Sequence, residues 1–327
     1  QVRRMDSLLP FFDAFPPAPG ASPSEAGDVW REIPHGADLR AEVAPRDAAQ
    51  SGRPLAATRA VEPVDANLLF ADEHVFEAGG ITFRMVHGGG ETPDTALIWI
   101  PRLRALFIGD DFYDSFPMLA PPRGSAPRPA LEYVGALEKA LALEPELLLP
   151  GHGEPVVGAA EARRRLTAYR DAIRHVHDAV VAGMNAGKGL HDLMAEVRLP
   201  EGSPVREFYG YVRGAVRGIW NEYAGSFEGD AAELLGASPR GVLPDLVALA
   251  GADGAAARAR AVLDTDDPLR ALQLSDAVLA AEPSHEAARA VRSDALGVLR
   301  ARSRSFAERN WLEAYRRLGG IPGRAGE

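Results

Sequence analysis

Residues 86–112 of the chain read VHGGGETPDTALIWIPRLRALFIGDDF, and this stretch decides the predicted fold. It contains two apolar runs, one beginning at Thr95 and the other at Leu103, and only Pro101 and Arg102 lie between them. Apolar runs of this length that are bounded by proline and glycine are typical of paired β-strands. The stretch therefore predicts two strands whose ends carry glycines and acidic side chains.

The neighbouring segments extend this strand-rich part. Residues 74–77 and 81–86 predict a β-hairpin that turns on the glycines between them. Apolar positions at helical spacing predict a helix over residues 128–144, and the Leu147-Leu-Leu run predicts a short buried strand. Residues 1–65 are rich in Pro, Ala and Gly and predict mostly loop with short helical turns.

The second half of the chain is predicted to be almost entirely helical. Residues 159–186 and 205–224 each carry an apolar stripe at helical spacing. Beyond Gly251, alanine-rich helices of about 13–16 residues follow one another, in the manner of tetratricopeptide-type hairpins. We therefore divide the chain near residue 160, into a strand-rich part over residues 1–160 and a helical part over residues 161–327.

The composition narrows the kinds of site that the chain can form. A formal net charge of −10 and a pI near 5.4 argue against a nucleic-acid-binding surface. No stretch of the sequence approaches the roughly 18 apolar residues of a membrane span. The chain has no cysteine, so a metal site would have to use His, Asp and Glu side chains.

Three predicted strands each end in glycines followed by a polar side chain. The motifs are His87-Gly-Gly-Gly-Glu91, Gly109-Asp110-Asp111 and Pro150-Gly-His152-Gly-Glu154. Taken singly, a Gly-Asp or a Gly-His-Gly is more often an ordinary turn. Their order along the chain predicts that Glu91, Asp110 and His152 converge on one cation, with oxygen and nitrogen ligands that suit Zn²⁺ or a similar divalent metal.

The run from Val86 to Phe112, followed by LLLPGHGEP at residues 147–155, resembles the second half of the metallo-β-lactamase fold. The resemblance implies a dinuclear zinc site in which Asp110 bridges two ions, Glu91 binds one ion and His152 binds the other. The alkyl sulfatase branch of that superfamily carries glutamate at this first ligand position, and Glu91 resembles that branch in this respect. Asp111 and Glu154 lie next to ligands and are expected to orient them.

The helical part of the chain also resembles a known family. Residues 209–230 read YGYVRGAVRGIWNEYAGSFEGD, and with the helical hairpins that follow they resemble the alkyl sulfatase dimerisation domain. The fold class that this implies is α+β: half of a metallo-β-lactamase αββα sandwich, followed by an all-helical, tetratricopeptide-like dimerisation domain. A homodimer that acts on a small anionic ester is the implied assembly.

The chain departs from the superfamily at its first metal motif, His-x-His-x-Asp-His, which the sequence lacks. The nearest string, His175-Val-His177-Asp178, lies in a strongly helical stretch and is interpreted as a helix-surface feature or a pocket wall. A catalytic zinc ion usually has about three protein ligands. We therefore expect an upstream segment, preceding Gln1, to supply the missing ligands, and we expect this chain alone to bind metal weakly.

The anion-binding residues are also incomplete by comparison with the family. Arg123 matches the family's arginine and is predicted to clamp the anionic group. Gly214 stands where the family carries a sulfate-binding histidine. Arg213 and Arg217 share one helix face and are candidate anion contacts in its place; a solvated helix face is the alternative.

The resulting hypothesis is a metal-dependent hydrolase of alkyl sulfate esters. Two alternatives remain open: a hydrolase of the same superfamily that acts on another ester, a thioester or a lactone, and a non-catalytic fragment or interaction subunit. The sequence does not indicate a compartment.

Overall fold

The computed structural model describes residues 68–122, 128–226, 228 and 231–317. Within these residues, six strands form one sheet in which spatial order follows chain order. The strands are β1 (Glu73–Ala78), β2 (Ile81–His87), β3 (Ala96–Ile100), β4 (Ala105–Gly109), β5 (Leu147–Pro150) and β6 (Val156–Val157).

All neighbouring strands of the sheet are antiparallel except β4 and β5, which run parallel. A parallel pair needs a crossover connection, and the helix α1 (Ala130–Ala142) lies between these two strands in the chain. Because β2 and β4 both run antiparallel to β3, they point the same way. The carboxyl ends of β2, β4 and β5 therefore lie at one edge of the sheet.

The strand predictions are confirmed, and local chemistry explains the turns between them. β1 and β2 form the predicted hairpin around Gly79 and Gly80, which have φ angles of 59° and 73°. Such positive values are accessible to glycine at little cost. β3 and β4 are joined by a single 3₁₀ turn at Pro101–Leu103, and Arg104 closes the turn in a left-handed conformation.

Nine helices follow the sheet in the described part of the chain. They are α2 (Ala159–Asn185), α3 (Leu190–Glu196), α4 (Val212–Ala224), α5 (Ala231–Leu234), α6 (Leu243–Ala250), α7 (Ala252–Asp264), α8 (Pro268–Ala281), α9 (Glu286–Arg302) and α10 (Phe306–Arg317). The predicted α+β fold class is therefore confirmed. None of the helices in the described part of the chain is long and apolar enough to span a membrane.

One hydrophobic core joins the sheet to the first long helices. Leu106 and Leu148 on the strands belong to the same buried cluster as Tyr169 and Ile173 on α2 and Val216 on α4. The later helices bury two smaller clusters among α7, α8 and α9. The core thus continues across residue 160, and the domain boundary at that position stays a prediction.

The helix predicted over residues 205–224 begins later, at Val212. The residues before it are held in an irregular conformation by tertiary hydrogen bonds. Ser115 Oγ accepts from the backbone N–H groups of Phe208 and Tyr209, and Phe116 N donates to the carbonyl of Arg206. These bonds compete with the helical hydrogen bonds that residues 205–211 would otherwise form.

Candidate metal centre

Asp110 and His152 meet at the edge where β4 and β5 end. Each side chain follows the last residues of one strand of the parallel pair. The Gly151 N–H donates to the Gly109 carbonyl at 2.8 Å, which extends the pairing of the two strands by one step. His152 Nδ1 lies 2.6 Å from Asp110 Oδ1, and the two side chains are 79% and 29% exposed. The sheet therefore presents a carboxylate and an imidazole together at an open rim.

Glycine at position 151 leaves room for this contact. A Cβ at Gly151 would collide with Asp110 Oδ1 and press on the backbone of Gly109. On the other side, the Tyr133 hydroxyl, which is fully buried on α1, donates to the backbone carbonyl of Asp110. Tyr133 thus holds the main chain of Asp110, while the Asp110 carboxylate contacts His152.

Glu91 lies at the same edge, and its carboxylate is engaged by a buried arginine. Arg128 Nη1 lies 2.5 Å from Glu91 Oε2, and the two side chains are 8% and 14% exposed. Arg128 Nη1 also donates to the carbonyl of Met118 at 3.1 Å. Among the described residues, no group of three or more His, Asp or Glu side chains is arranged to hold a metal ion. The structure thus brings together two of the three predicted ligands, and the complete ligand set stays a prediction.

Asp111 connects the β4 end to the glycine loop that carries Glu91. Its side chain is fully buried, and its Oδ1 accepts from the Glu91 N–H at 2.7 Å. Its Oδ2 has no hydrogen-bond partner among the described residues. Burial raises the pKa of Asp111 to about 7, and the nearby Glu91 and Asp110 carboxylates add to the shift, whereas the Glu91 N–H opposes it.

The loop at residues 88–91 is shaped around this carboxylate. Gly90 has a φ of 89°, and a Cβ at that position would lie 2.5 Å from Asp111 Oδ1. A Cβ at Gly88 would lie 3.1 Å from Asp111 Oδ2. Two of the three consecutive glycines are therefore explained by the close approach of Asp111. The arrangement fits the expected orienting role of Asp111 toward Glu91.

The predicted anion contacts on α4 face carboxylates in the structure. Arg213 Nη2 lies 2.7 Å from Glu308 Oε1 on α10, and Arg217 Nη1 lies 3.5 Å from Glu228 Oε1. Each guanidinium is about half exposed. Binding of an anion by either arginine would therefore compete with an existing ion pair. Arg123 lies outside the described residues.

Gly214 is packed beneath an aromatic ring. A Cβ at this position would lie 2.7 Å from two ring carbons of Tyr211 and 3.1 Å from its hydroxyl oxygen. The space that a side chain at position 214 would need is thus filled by Tyr211. This packing gives a physical reason why the chain has glycine, rather than histidine, at that position.

The His175-Val-His177 string lies within α2, as predicted, but only one of its histidines is at the surface. His177 is 6% exposed, with its Nε2 2.7 Å from the Tyr223 hydroxyl and its Nδ1 2.8 Å from Asp178 Oδ1. His175 is exposed and lies near the carbonyl of Arg198. The description of His177 as a surface feature is therefore corrected, because the ring packs between α2 and α4.

Sequence reasoning missed Arg128 altogether. The residue stands between two prolines, Pro127 and Pro129, and it lies 37 positions from Glu91. Nothing in the local pattern marks it as a partner of a strand-end carboxylate. The sequence offers one hint, a basic side chain in the segment after β4. Arg123 lies in the same segment, so this hint does not distinguish Arg128 from Arg123.

Two family profiles match separate parts of the chain. Residues 8–152 match the metallo-beta-lactamase superfamily, and residues 190–317 match the alkyl sulfatase dimerisation family. The first match begins far ahead of Val86, where the quoted sequence resemblance begins. It ends at His152, the last of the three predicted ligands.

Curated relatives of the chain are alkylsulfatases. It is 31% identical over 197 residues to a linear primary-alkylsulfatase from Pseudomonas sp., which covers 58% of this chain and 37% of the relative. It is 27% identical over 234 residues to an (R)-specific secondary-alkylsulfatase, also from Pseudomonas sp., covering 69% of this chain and 35% of the relative. The chain thus spans little more than a third of the length of these relatives.

A solved structure shares the fold of the chain. The stereoselective inverting sec-alkylsulfatase Pisa1 from Pseudomonas sp. superposes with a TM-score of 0.72 at 26% identity. The superposition covers 78% of this chain and 42% of that protein. The sheet and the helices that follow it therefore occur together, in this order, in an alkylsulfatase.

Proposed function

Because the chain combines a metallo-β-lactamase superfamily segment with an alkyl sulfatase dimerisation segment, we propose that it takes part in the metal-dependent hydrolysis of alkyl sulfate esters. The observation that supports this most directly is the contact between Asp110 and His152 at the common edge of β4 and β5. A carboxylate and an imidazole on an open rim are side chains that divalent metals bind. The alkylsulfatase relatives support sulfate esters as the substrate class.

Carboxylate and imidazole side chains are donors that zinc accepts, and we propose that the rim is part of a site for two zinc ions. Asp110 would bridge them, Glu91 would hold one and His152 the other. When bound, such a pair supplies an activated water and neutralises negative charge on the ester oxygens. A catalytic zinc ion usually has about three protein ligands, so the remaining ligands would come from outside the described residues.

The residues around the rim would keep the ligands in place. Tyr133 holds the main chain of Asp110, and Asp111 holds the main chain of Glu91. Arg128 orients the Glu91 carboxylate and compensates its charge in a setting with little exposure to water. Removing such supporting partners from a metal site typically lowers metal affinity by about 10–100-fold.

A sulfate ester carries a negative charge that needs a cationic partner beside the metal. Arg123 would provide it, as a guanidinium that can bind two anion oxygens at once. Arg213 and Arg217 would do so only by giving up their contacts with Glu308 and Glu228. We therefore propose Arg123, rather than Arg213 or Arg217, as the residue that contacts the anion.

A second candidate is a hydrolase of the same superfamily with a different substrate. The packing of Tyr211 over Gly214 favours it, because the Tyr211 ring fills the space where the family's sulfate-binding histidine would lie. A thioester, a lactone or another ester needs no sulfate-binding group on α4. The same three ligands would serve these reactions.

A substrate panel separates the two candidates. The protein, loaded with zinc, would be assayed on a linear alkyl sulfate, an alkyl thioester, a lactone and a phosphate monoester, with a chelator-treated sample as control. We expect kcat/KM for the alkyl sulfate to exceed the others by roughly 100-fold or more, because a site that binds a charged group discriminates strongly against analogues without it. Faster turnover of the thioester or the lactone would favour the second candidate, and no metal-dependent turnover of any substrate would end the hydrolase proposal.

We also propose that the protein acts as a homodimer. The helices over residues 190–317 match a family that is described by its dimerisation. These helices bury only small clusters of their own, such as the one formed by Ala256, Val278, Leu279 and Ala288. A second copy would add to the apolar surface that they remove from water.

A further inference from the structure

Tyr113 lies in the loop after β4, shortly beyond Asp110, and its side chain is buried in the core. Its ring packs edge-on against the rings of Tyr169 on α2 and Tyr209 ahead of α4, with centroid separations of 6.1 and 5.9 Å. Edge-to-face pairs of this kind add to the stability of a buried aromatic ring. The two neighbouring rings therefore hold Tyr113 in place.

The Tyr113 hydroxyl group holds the main chain of Met118. Met118 is buried as well, and its backbone N–H donates to the Tyr113 hydroxyl oxygen at 3.1 Å. Burial raises the pKa of Tyr113 well above its usual value, and this hydrogen bond opposes the shift only in part, so the group stays a neutral phenol. Because a buried N–H group that loses its acceptor is costly, the Met118 peptide depends on the Tyr113 hydroxyl group for its position.

The same stretch of main chain holds Arg128 at two points. Arg128 Nη1 donates to the Met118 carbonyl at 3.1 Å, and the Arg128 backbone N–H donates to the Leu119 carbonyl, also at 3.1 Å. Arg128 Nη1 lies 2.5 Å from Glu91 Oε2 in the buried ion pair described above. The Met118 peptide therefore sets where the guanidinium lies, and the guanidinium in turn sets where the Glu91 carboxylate lies.

We propose that Tyr113 is a positioning residue for the candidate metal centre, and that it acts on the Glu91 carboxylate through Arg128. Each link is a hydrogen bond between groups with little exposure to water, where such bonds are stronger than in solvent and support one another. This inference rests on the proposed function, in which Glu91 is a metal ligand. It adds a residue that acts on this ligand through another side chain.

The experiment compares two variants that undergo the same chemical change. Tyr113→Phe removes the hydroxyl group and keeps the ring in the core. Tyr223→Phe is the matched control, because the Tyr223 hydroxyl oxygen lies 2.7 Å from Nε2 of the buried His177, between α2 and α4. Both variants lose a hydrogen bond to a buried group, so both should unfold at a lower urea concentration than the wild type. This measurement shows how much of any other effect comes from a general loss of stability.

The first readout is taken on the metal-free chain. NMR follows the rate at which the Arg128 Nη1–H protons exchange with water in the wild type and in both variants. We expect Tyr113→Phe to speed this exchange by roughly 10-fold, because hydrogen bonds of a charged group contribute about that much when their support is lost. Tyr223→Phe should leave the rate unchanged. An Arg128 signal that Tyr113→Phe does not alter would overturn the inference.

The second readout is the affinity of the chain for zinc, measured by titration. Groups that support a metal ligand directly contribute about 10–100-fold in affinity. Tyr113 acts one step further away, so Tyr113→Phe should raise the Kd for zinc by roughly 10-fold, the lower end of that range. In a chain that already carries Arg128→Gln, Tyr113→Phe should cause no further loss, because the path through Arg128 is already broken.

The outcomes separate this inference from the proposed function. A wild-type chain that binds no zinc would overturn the proposed function and, with it, a role for Tyr113 at a metal centre. A chain that binds zinc with an affinity that Tyr113→Phe and Tyr223→Phe lower equally would overturn the positioning role alone. The same holds if Tyr113→Phe costs as much affinity with Arg128→Gln as without it. Circular dichroism checks the folding of each variant.

Discussion

Replacing Asp110 by alanine is expected to abolish metal binding and ester hydrolysis. Asp110 is the predicted bridging ligand, and its carboxylate is the group that contacts His152. Its removal would take one ligand from each of two ions at once. Because even supporting residues of metal sites are worth about 10–100-fold in affinity or activity, the loss should exceed roughly 100-fold. Metal content and hydrolysis rate would be measured on the same preparation.

Asp114→Ala is the matched control for this variant. Asp114 lies four residues further along the same loop, its side chain is 87% exposed, and its contact with Arg165 is 3.9 Å long. This control should bind metal and hydrolyse ester at rates within about twofold of the wild type, since exposed ion pairs contribute little. Full activity in Asp110→Ala would contradict the assignment of the site.

Replacing Gly210 by alanine is expected to destabilise the fold strongly. The Gly210 N–H donates to the Phe116 carbonyl at 3.1 Å, and a Cβ at Gly210 would overlap the backbone carbonyls of Phe116 and Pro117. Backbone carbonyls cannot rotate away from the added methyl group as a flexible side chain can. The segment before α4 would therefore have to move away from the loop after β4. Overpacking of this kind costs about 3 kcal/mol, which urea unfolding of the purified chain would detect.

Gly135→Ala is the opposite case. Gly135 lies within α1, and among the described residues no atom outside its own turn of the helix lies within 4 Å of the place where its Cβ would be. Alanine there should stabilise the chain by about 0.5–1 kcal/mol, because it lowers the entropy of the unfolded state and favours the helix. If both variants were equally stable, the close approach at Gly210 would be refuted.

The strand ends were predictable because their signals are local. Glycines mark the turns of the β1–β2 hairpin, and apolar runs of five or six residues mark β3 and β4. Once β4 and β5 are joined by a helix, they are expected to run parallel, and their carboxyl ends then meet. Asp110 and His152 could thus be placed together from the sequence.

The surroundings of Glu91 could not be predicted, because they depend on contacts between distant parts of the chain. The Arg128 guanidinium reaches Glu91 across 37 positions, and the buried Asp111 reaches its N–H across 20. The late start of α4 has the same kind of cause. Its amphipathic pattern is continuous from residue 205, but Ser115 binds the backbone before Gly210 and keeps it out of the helix.

The central claim is that Asp110 and His152 bind a metal ion. A zinc titration of the chain, followed through the ring-nitrogen resonances of His152, tests this without reference to turnover. We predict that zinc shifts these resonances in a saturable manner, that Asp110→Ala removes the zinc-dependent shift, and that Asp114→Ala retains it. His152 resonances that do not respond to zinc in the wild-type chain would contradict the account.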